Sequence, residues 1–139
     1  MFERCLYFNI NALTRAVNAI WNASFAEFDL SPSHAYLLRL VLSEPGLTPK
    51  QISLELKLEK STVTRFLDAL VKKEFVDRRK GANQDARERN IFPTDKARTI
   101  EEKLELKGNA LYQQMIDRID EPKLISLIEE LRNTRKKIK

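Results

Sequence analysis

The stretch from Thr48 to Lys73, TPKQISLELKLEKSTVTRFLDALVKK, reads as two short helices joined by a tight turn. Thr48-Pro49-Lys50-Gln51 is a capping box with proline at the first helical position, so a helix starts at Pro49 and turns Ile52 and Leu56 inward. Lys57 and Leu58 break that pattern, and a second helix restarts around Glu59 to Ser61 and reaches about Lys73. At about 100° per residue, Val63, Phe66, Leu67 and Leu70 share one side of this second helix. Ser61, Arg65, Asp68 and Lys72 centre on the opposite side, flanked by Thr62, Thr64 and Ala69. That outward stripe has the chemistry of a DNA-reading helix: Arg65 can make a bidentate contact to guanine, and the hydroxyls and Lys72 can reach bases or phosphates. An ordinary solvated helix shows the same residue types, and Asp68 on this face opposes indiscriminate phosphate binding.

Working outward, the next piece is a hairpin. Phe75-Val76-Asp77-Arg78-Arg79 and Arg87-Glu88-Arg89-Asn90-Ile91-Phe92 flank the turn-forming Lys80-Gly81-Ala82-Asn83-Gln84-Asp85. Lys73, Arg78, Arg79, Lys80, Arg87 and Arg89 give this ribbon a basic density that suits phosphates. Two short helices followed by a basic hairpin are the sequence form of a winged helix-turn-helix. Net charge agrees with that placement. Between residues 48 and 100 there are 13 Lys and Arg against 8 Asp and Glu, a net of +5, whereas 1–47 (3 against 4) and 101–139 (9 against 8) carry −1 and +1.

The flanks read as helices. One is expected from about Phe2 to Phe28, with Leu6, Ile10, Leu13, Val17, Ile20 and Ser24 spaced alternately by four and three. Ser31 caps another that has Pro32 at its first position and is apolar on most sides, the centre of the core. A fifth helix is expected from Thr94 to about Arg118, and a sixth after Pro122 with Leu124, Ile128 and Leu131. The apolar surface of the first helix, of the fifth with Ile100, Leu104, Leu111 and Met115, and of the sixth exceeds what a 139-residue chain can bury alone, so these helices, with Leu6, Ile10, Leu13, Leu124, Ile128 and Leu131, are assigned to a dimer interface. The fold class is therefore mainly α. A winged helix-turn-helix with a small β-hairpin wing occupies residues 30–94 as the DNA-binding lobe, and long N- and C-terminal dimerisation helices occupy 1–29 and 95–139.

The blocks Glu59 to Arg65, Leu70 to Lys73, Phe75 to Arg79, Asp85-Ala86-Arg87 and Phe92 to Ala97 stand in a fixed order and spacing, with Arg87 seven residues before Thr94. In that arrangement the chain resembles the MarR family of transcriptional regulators along nearly its whole length. The resemblance implies a homodimer that binds a pseudo-palindromic operator in double-stranded DNA, as repressor or activator, released by a small aromatic or phenolic effector. By position it makes Arg87 the wing-tip arginine that enters the minor groove, Asp85 the acid that braces the wing, and Ser61 to Arg65 the DNA-reading end of the recognition helix. Arg89 adds a second wing cation. Three positions depart from the family pattern: Glu74 and Lys57 stand where glycine, or glycine and asparagine, are usual, and Pro93 where leucine is.

Other classes fare worse. There is no glycine-rich phosphate loop, no Ser or Cys nucleophile beside a histidine and no metal-ligand spacing, so no enzyme, catalytic residue, cofactor or metal is expected. The one histidine, His34, is expected to cap or pack at the start of the second helix. A winged helix used only for protein contacts would dispense with Arg65 and the basic wing. The one cysteine, Cys5, lies near the reactive position of the organic-hydroperoxide repressors of the same family. Those pair it with tyrosines where this chain has Ala19 to Asn22 and Ser31. A small buried hydrophobe is the expected role for Cys5, with a cysteine-based peroxide-sensing repressor the alternative. No apolar run approaches the ~18 residues of a membrane span, and a cytoplasmic protein without membrane contact is expected.

Overall fold

The computed structural model describes residues 1–80 and 89–139. It has two compact units, Met1–Glu105 and Leu106–Lys139. In the first, helix α1 runs over Leu6–Phe25. It starts later than the expected Phe2 because Cys5 is its cap, with Sγ accepting the Phe8 N–H at 3.5 Å, and because the Asn9 amide gathers the carbonyls of Phe2, Glu3 and Cys5 at 3.2, 3.2 and 2.8 Å. A single 3-10 turn, Ala26–Phe28, follows, and Asp29 closes it in the left-handed region at φ 54°.

Helix α2, Pro32–Ser43, begins on Ser31, whose Oγ accepts the His34 N–H at 3.2 Å. Ala35, Leu37, Leu38, Val41 and Leu42 are all buried, which makes α2 the centre of the core as its apolar composition requires. Arg39 on α2 donates two parallel bonds to Glu105, at 3.0 and 3.1 Å, and lies 5.0 Å over the Tyr36 ring. The Tyr36 hydroxyl accepts from the Trp21 indole at 3.2 Å. One polar chain therefore ties α1 to α2 and to Glu105, whose carboxyl the guanidinium holds below the usual carboxylate range.

Helix α3, Pro49–Leu56, carries the expected capping box: Gln51 N–H reaches Thr48 Oγ1 at 3.2 Å and Thr48 N–H reaches Gln51 Oε1 at 2.9 Å. It ends at Lys57, left-handed at φ 56°, the position where glycine or asparagine costs least. Helix α4, Lys60–Lys72, buries Val63, Leu67 and Leu70. Each such side chain contributes roughly 1.5 to 3 kcal/mol by leaving water. The C-terminus of α4 is a Schellman motif, with Phe75 N–H to Leu70 O and Glu74 N–H to Val71 O, both at 2.9 Å. Glu74 is the left-handed residue, at φ 64°.

Strand β1, Val76–Arg79, pairs antiparallel with β2, Asn90–Pro93, with Val76 opposite Pro93 and Arg78 opposite Ile91. Pro93 thus ends the hairpin, and Thr94 caps the next helix, its Oγ1 accepting from Ala97 N–H at 3.2 Å and donating to Glu74 O at 2.6 Å. A further bridge joins Leu47 to Ile91, through Gly46 N–H to Ile91 O at 2.7 Å and Ile91 N–H to Leu47 O at 2.8 Å. Gly46 sits at φ 95°, with Phe92 Cζ 3.4 Å from where a Cβ would stand. The backbone asks for glycine there, while the ring would only touch a Cβ.

Helix α5, Asp95–Ile119, passes from the first unit into the second, which it fills together with α6, Glu121–Ile138. Asp120 separates them at φ 83°, and Pro122 stands in the first turn of α6. Leu111 and Leu124 are the buried side chains of this unit. Six α-helices and one hairpin among the described residues match the architecture expected from the sequence. Among the described residues no helix is long and apolar enough to cross a membrane.

Candidate nucleic-acid interface

With Val63, Leu67 and Leu70 fixed in the core, the periodicity of α4 aims the opposite stripe outward. Ser61, Thr64, Arg65, Asp68 and Lys72 are exposed and Thr62 is half-buried. The hydroxyls differ in what they can offer. Thr64 Oγ1 donates to the Lys60 carbonyl at 3.1 Å, which leaves its lone pairs to accept from a donor such as a base amino group. Thr62 Oγ1 accepts from Arg65 Nη2 at 3.4 Å and keeps its own proton for an acceptor such as a phosphate oxygen. That single long bond leaves most of the Arg65 guanidinium donors facing outward. The N-cap of α4, Glu59, makes no side-chain cap bond, so the first N–H groups of the helix are uncovered by it.

Beside this face is a cleft of about 430 Å³. Its walls are Thr48, Pro49 and Lys50 at the start of α3, Lys60, Thr64 and Leu67 on α4, and Arg78 and Arg89 on the two arms of the hairpin. Among the described residues this lining holds four cations and no carboxylate, and a concave surface of one sign concentrates counter-charge. Lys50 and Lys60 were not singled out from the sequence. The signal was there in part, because proline at the first position of a capped helix sets the residue after it on the first turn.

The basic hairpin is only partly the row of phosphate ligands its composition suggests. Arg78 Nη2 lies 2.5 Å from Asp68 Oδ1 on α4, and Arg79 is 3.6 Å from Asp77 Oδ2 and 4.6 Å over the Phe92 ring. Lys73 is drawn to the other side of the lobe, where its ammonium donates to the Asp29 carbonyl and pairs with the Asp29 carboxylate at 3.4 Å. Arg89 is exposed at the foot of β2. Asp85 and Arg87 lie outside the described residues.

His34 is half-buried, edge-on to Phe66 of α4 at 4.7 Å, and its backbone N–H serves the α2 cap, so it packs and caps as expected. Burial, and after it the charge of Lys73, lower its pKa. Cys5 departs from expectation: it is exposed, not buried. Its place ahead of the first turn, with Sγ turned to the Phe8 N–H, keeps it out of any core. Of the six residues assigned to a dimer interface, Leu6, Ile10, Leu13, Ile128 and Leu131 are exposed, whereas Leu124 is buried within the chain. Among the described residues no group of three or more His, Cys, Asp or Glu is placed to hold a metal ion.

Comparison with known proteins places this arrangement. An uncharacterized HTH-type transcriptional regulator, YybA of Bacillus subtilis (strain 168), is 23% identical over 91 residues, which are 66% of this chain and 60% of that protein's length. The PcaV transcriptional regulator from Streptomyces coelicolor, solved in complex with its natural ligand, superposes with a TM-score of 0.87 at 19% identity, over all of this chain and 97% of that one. The S. aureus MepR–DNA complex gives 0.85 at 18% identity, over 99% and 100%. At such identities the two structures establish a shared fold. Residues 28–88, from the end of the 3-10 turn past β1 but short of β2, match the profile of the MarR family. Over that stretch the chain is similar to the MarR family of transcriptional regulators, and the two solved structures show that the whole chain shares their winged helix-turn-helix fold.

Proposed function

We propose that this chain is a sequence-specific DNA-binding regulator that acts as a homodimer on a pseudo-palindromic operator, represses transcription there, and is released by a small aromatic or phenolic effector. The observation that carries the reading is the outward face of α4, with Ser61, Thr64 and Arg65 exposed, set beside a cleft lined by Lys50, Lys60, Arg78 and Arg89. Bases are read by the first and the phosphate backbone is held by the second. Arg65 reaches guanine in the major groove, Thr62 and Lys72 reach phosphates, and the hairpin, with Arg87 and Arg89, lies along the flanking minor groove, Asp85 bracing it.

Dimerisation is supported by the exposed stripe of Leu6, Ile10 and Leu13 on α1 and of Ile128 and Leu131 on α6, apolar side chains that water does not favour. Two copies related by a twofold axis present two α4 helices to successive major grooves, with half-site centres about 10 base pairs apart. Selection of bound duplexes from a random pool, repeated with Arg65→Ala, tests the reading. The wild type is expected to enrich an imperfect palindrome and the variant to lose preference at one base position in each half-site, at a cost of about 1 to 3 kcal/mol per contact. Enrichment of no shared motif, or of an unchanged motif with Arg65→Ala, refutes it.

A further inference from the structure

Asp68 is out of character on a surface that meets DNA. It stands on the outward stripe of α4 with Ser61, Arg65 and Lys72, where a carboxylate repels phosphate. Its partner, Arg78, lies on β1 directly opposite Ile91. Ile91 is fully buried and bonded in turn to Leu47, so Arg78 rises from the anchored part of the hairpin stem. The 2.5 Å bond is thus a direct link between the reading face of the helix and the stem of the hairpin. The two side chains are 62% and 32% exposed, and pairs so open to water add little to stability. What the pair does fix is geometry: it sets where the stem stands relative to the helix, and Arg78 with it forms a wall of the cation-lined cleft.

We propose that Asp68 is a positioning residue, which through Arg78 holds the hairpin stem at one distance from α4 so that the base pairs met by the helix and those met by the hairpin are read in one register. The proposal rests on the DNA-reading function given above. Removing the pin has two effects of opposite sign. Loss of the negative charge raises affinity for any duplex, while loss of the fixed spacing lowers the preference for the cognate one. A carboxylate that merely faces DNA gives the first effect without the second, and a surface ion pair of purely structural value gives neither.

The test measures Kd by fluorescence anisotropy, at one salt concentration, for the selected operator and for a shuffled duplex, with wild type, Asp68→Ala, Arg78→Gln and the double variant. The expected result with Asp68→Ala is tighter binding of the shuffled duplex and a specific-to-nonspecific ratio lower by about three-fold per half-site, or about ten-fold for two. The double variant is expected to match the single ones in that ratio, because both remove the same link. An unchanged ratio with Asp68→Ala overturns the proposal, as does a double variant whose loss is the product of the single losses. Should Asp68→Ala lose its cooperative melting transition, Asp68→Asn, which keeps a hydrogen bond without the charge, is expected to give an intermediate ratio, and a wild-type ratio there overturns the proposal equally. A wild type that shows no preference for any duplex is a different outcome, and it removes the DNA-reading function itself.

Discussion

Glu74→Gly should make this protein more stable. Glu74 holds the left-handed turn that ends α4, at φ 64°, and its own backbone N–H and C=O are both bonded, to Val71 O and by Thr94 Oγ1. The side chain is exposed and makes no hydrogen bond or ion pair among the described residues, so its removal costs no contact. A residue with a Cβ in this region is strained by roughly 1 to 2 kcal/mol. Glycine removes that strain but gives the unfolded chain more freedom, worth about 0.4 to 1 kcal/mol in the other direction. The net gain is about 0.5 to 1 kcal/mol, which for a chain of this length raises Tm by about 2 to 3 °C. Thermal unfolding followed by circular dichroism, at one fixed protomer concentration, checks it, with Glu74→Ala as the control that loses the same side chain and keeps the Cβ. Equal stabilisation by alanine and glycine, or destabilisation by glycine, refutes the attribution to backbone strain.

Three further outcomes are expected. Burial and Lys73 keep the folded-state pKa of His34 below the ordinary imidazole value of about 6.5, so the unfolded chain takes up the proton first. Stability is therefore level with respect to this group above that pH and falls as pH drops from there to the lower folded value; urea unfolding across this window should show a step that His34→Gln removes, and identical profiles for the two proteins would refute it. Leu70→Ala, at a fully buried position on the inner face of α4, should cost about 2 to 5 kcal/mol, seen as a lower urea midpoint. Leu13→Glu, at an exposed position on α1, should leave the helical circular dichroism intact but give the mass of one chain in light scattering, and a mass of two chains would count against that face as the dimer contact.

Much of the fold was legible because its signals are local. The Thr48–Gln51 capping box, Pro32 and Pro49 at helix starts and the apolar face of α4 each depend on residues within a turn or two, and each stands where the pattern put it. Lys57 and Glu74 were departures from a glycine pattern, and both adopt the left-handed conformation that glycine serves. What the sequence left hidden is set by distant pairings. Nothing in Leu47 announces that it bridges to Ile91, since a single bridge has no alternation to betray it. Nor does the run Asp77-Arg78-Arg79 reveal that one arginine turns to α4 and the other to Phe92, because that depends on how the stem stands beside the helix. The exposure of Cys5 is hidden as well: the helical spacing extends back past it to Phe2, and only the cap bond to Phe8 N–H puts it outside the helix.

The Leu47–Ile91 bridge also bears on how the chain comes to be folded. It and the neighbouring bond from the Asn90 side-chain amide to Gly46 O join residues 44 apart, and the whole of α3 and α4 lies within the loop they close. Loop closure must come before such a contact can repay it, so this joint forms late. The two helices precede residues 90–93 in the chain, so a chain cut short at residue 80 carries them without their clasp. The reading head is therefore made before the joint that clasps it, and a chain cut short at residue 80 should be cleaved within α3 faster than the full chain is.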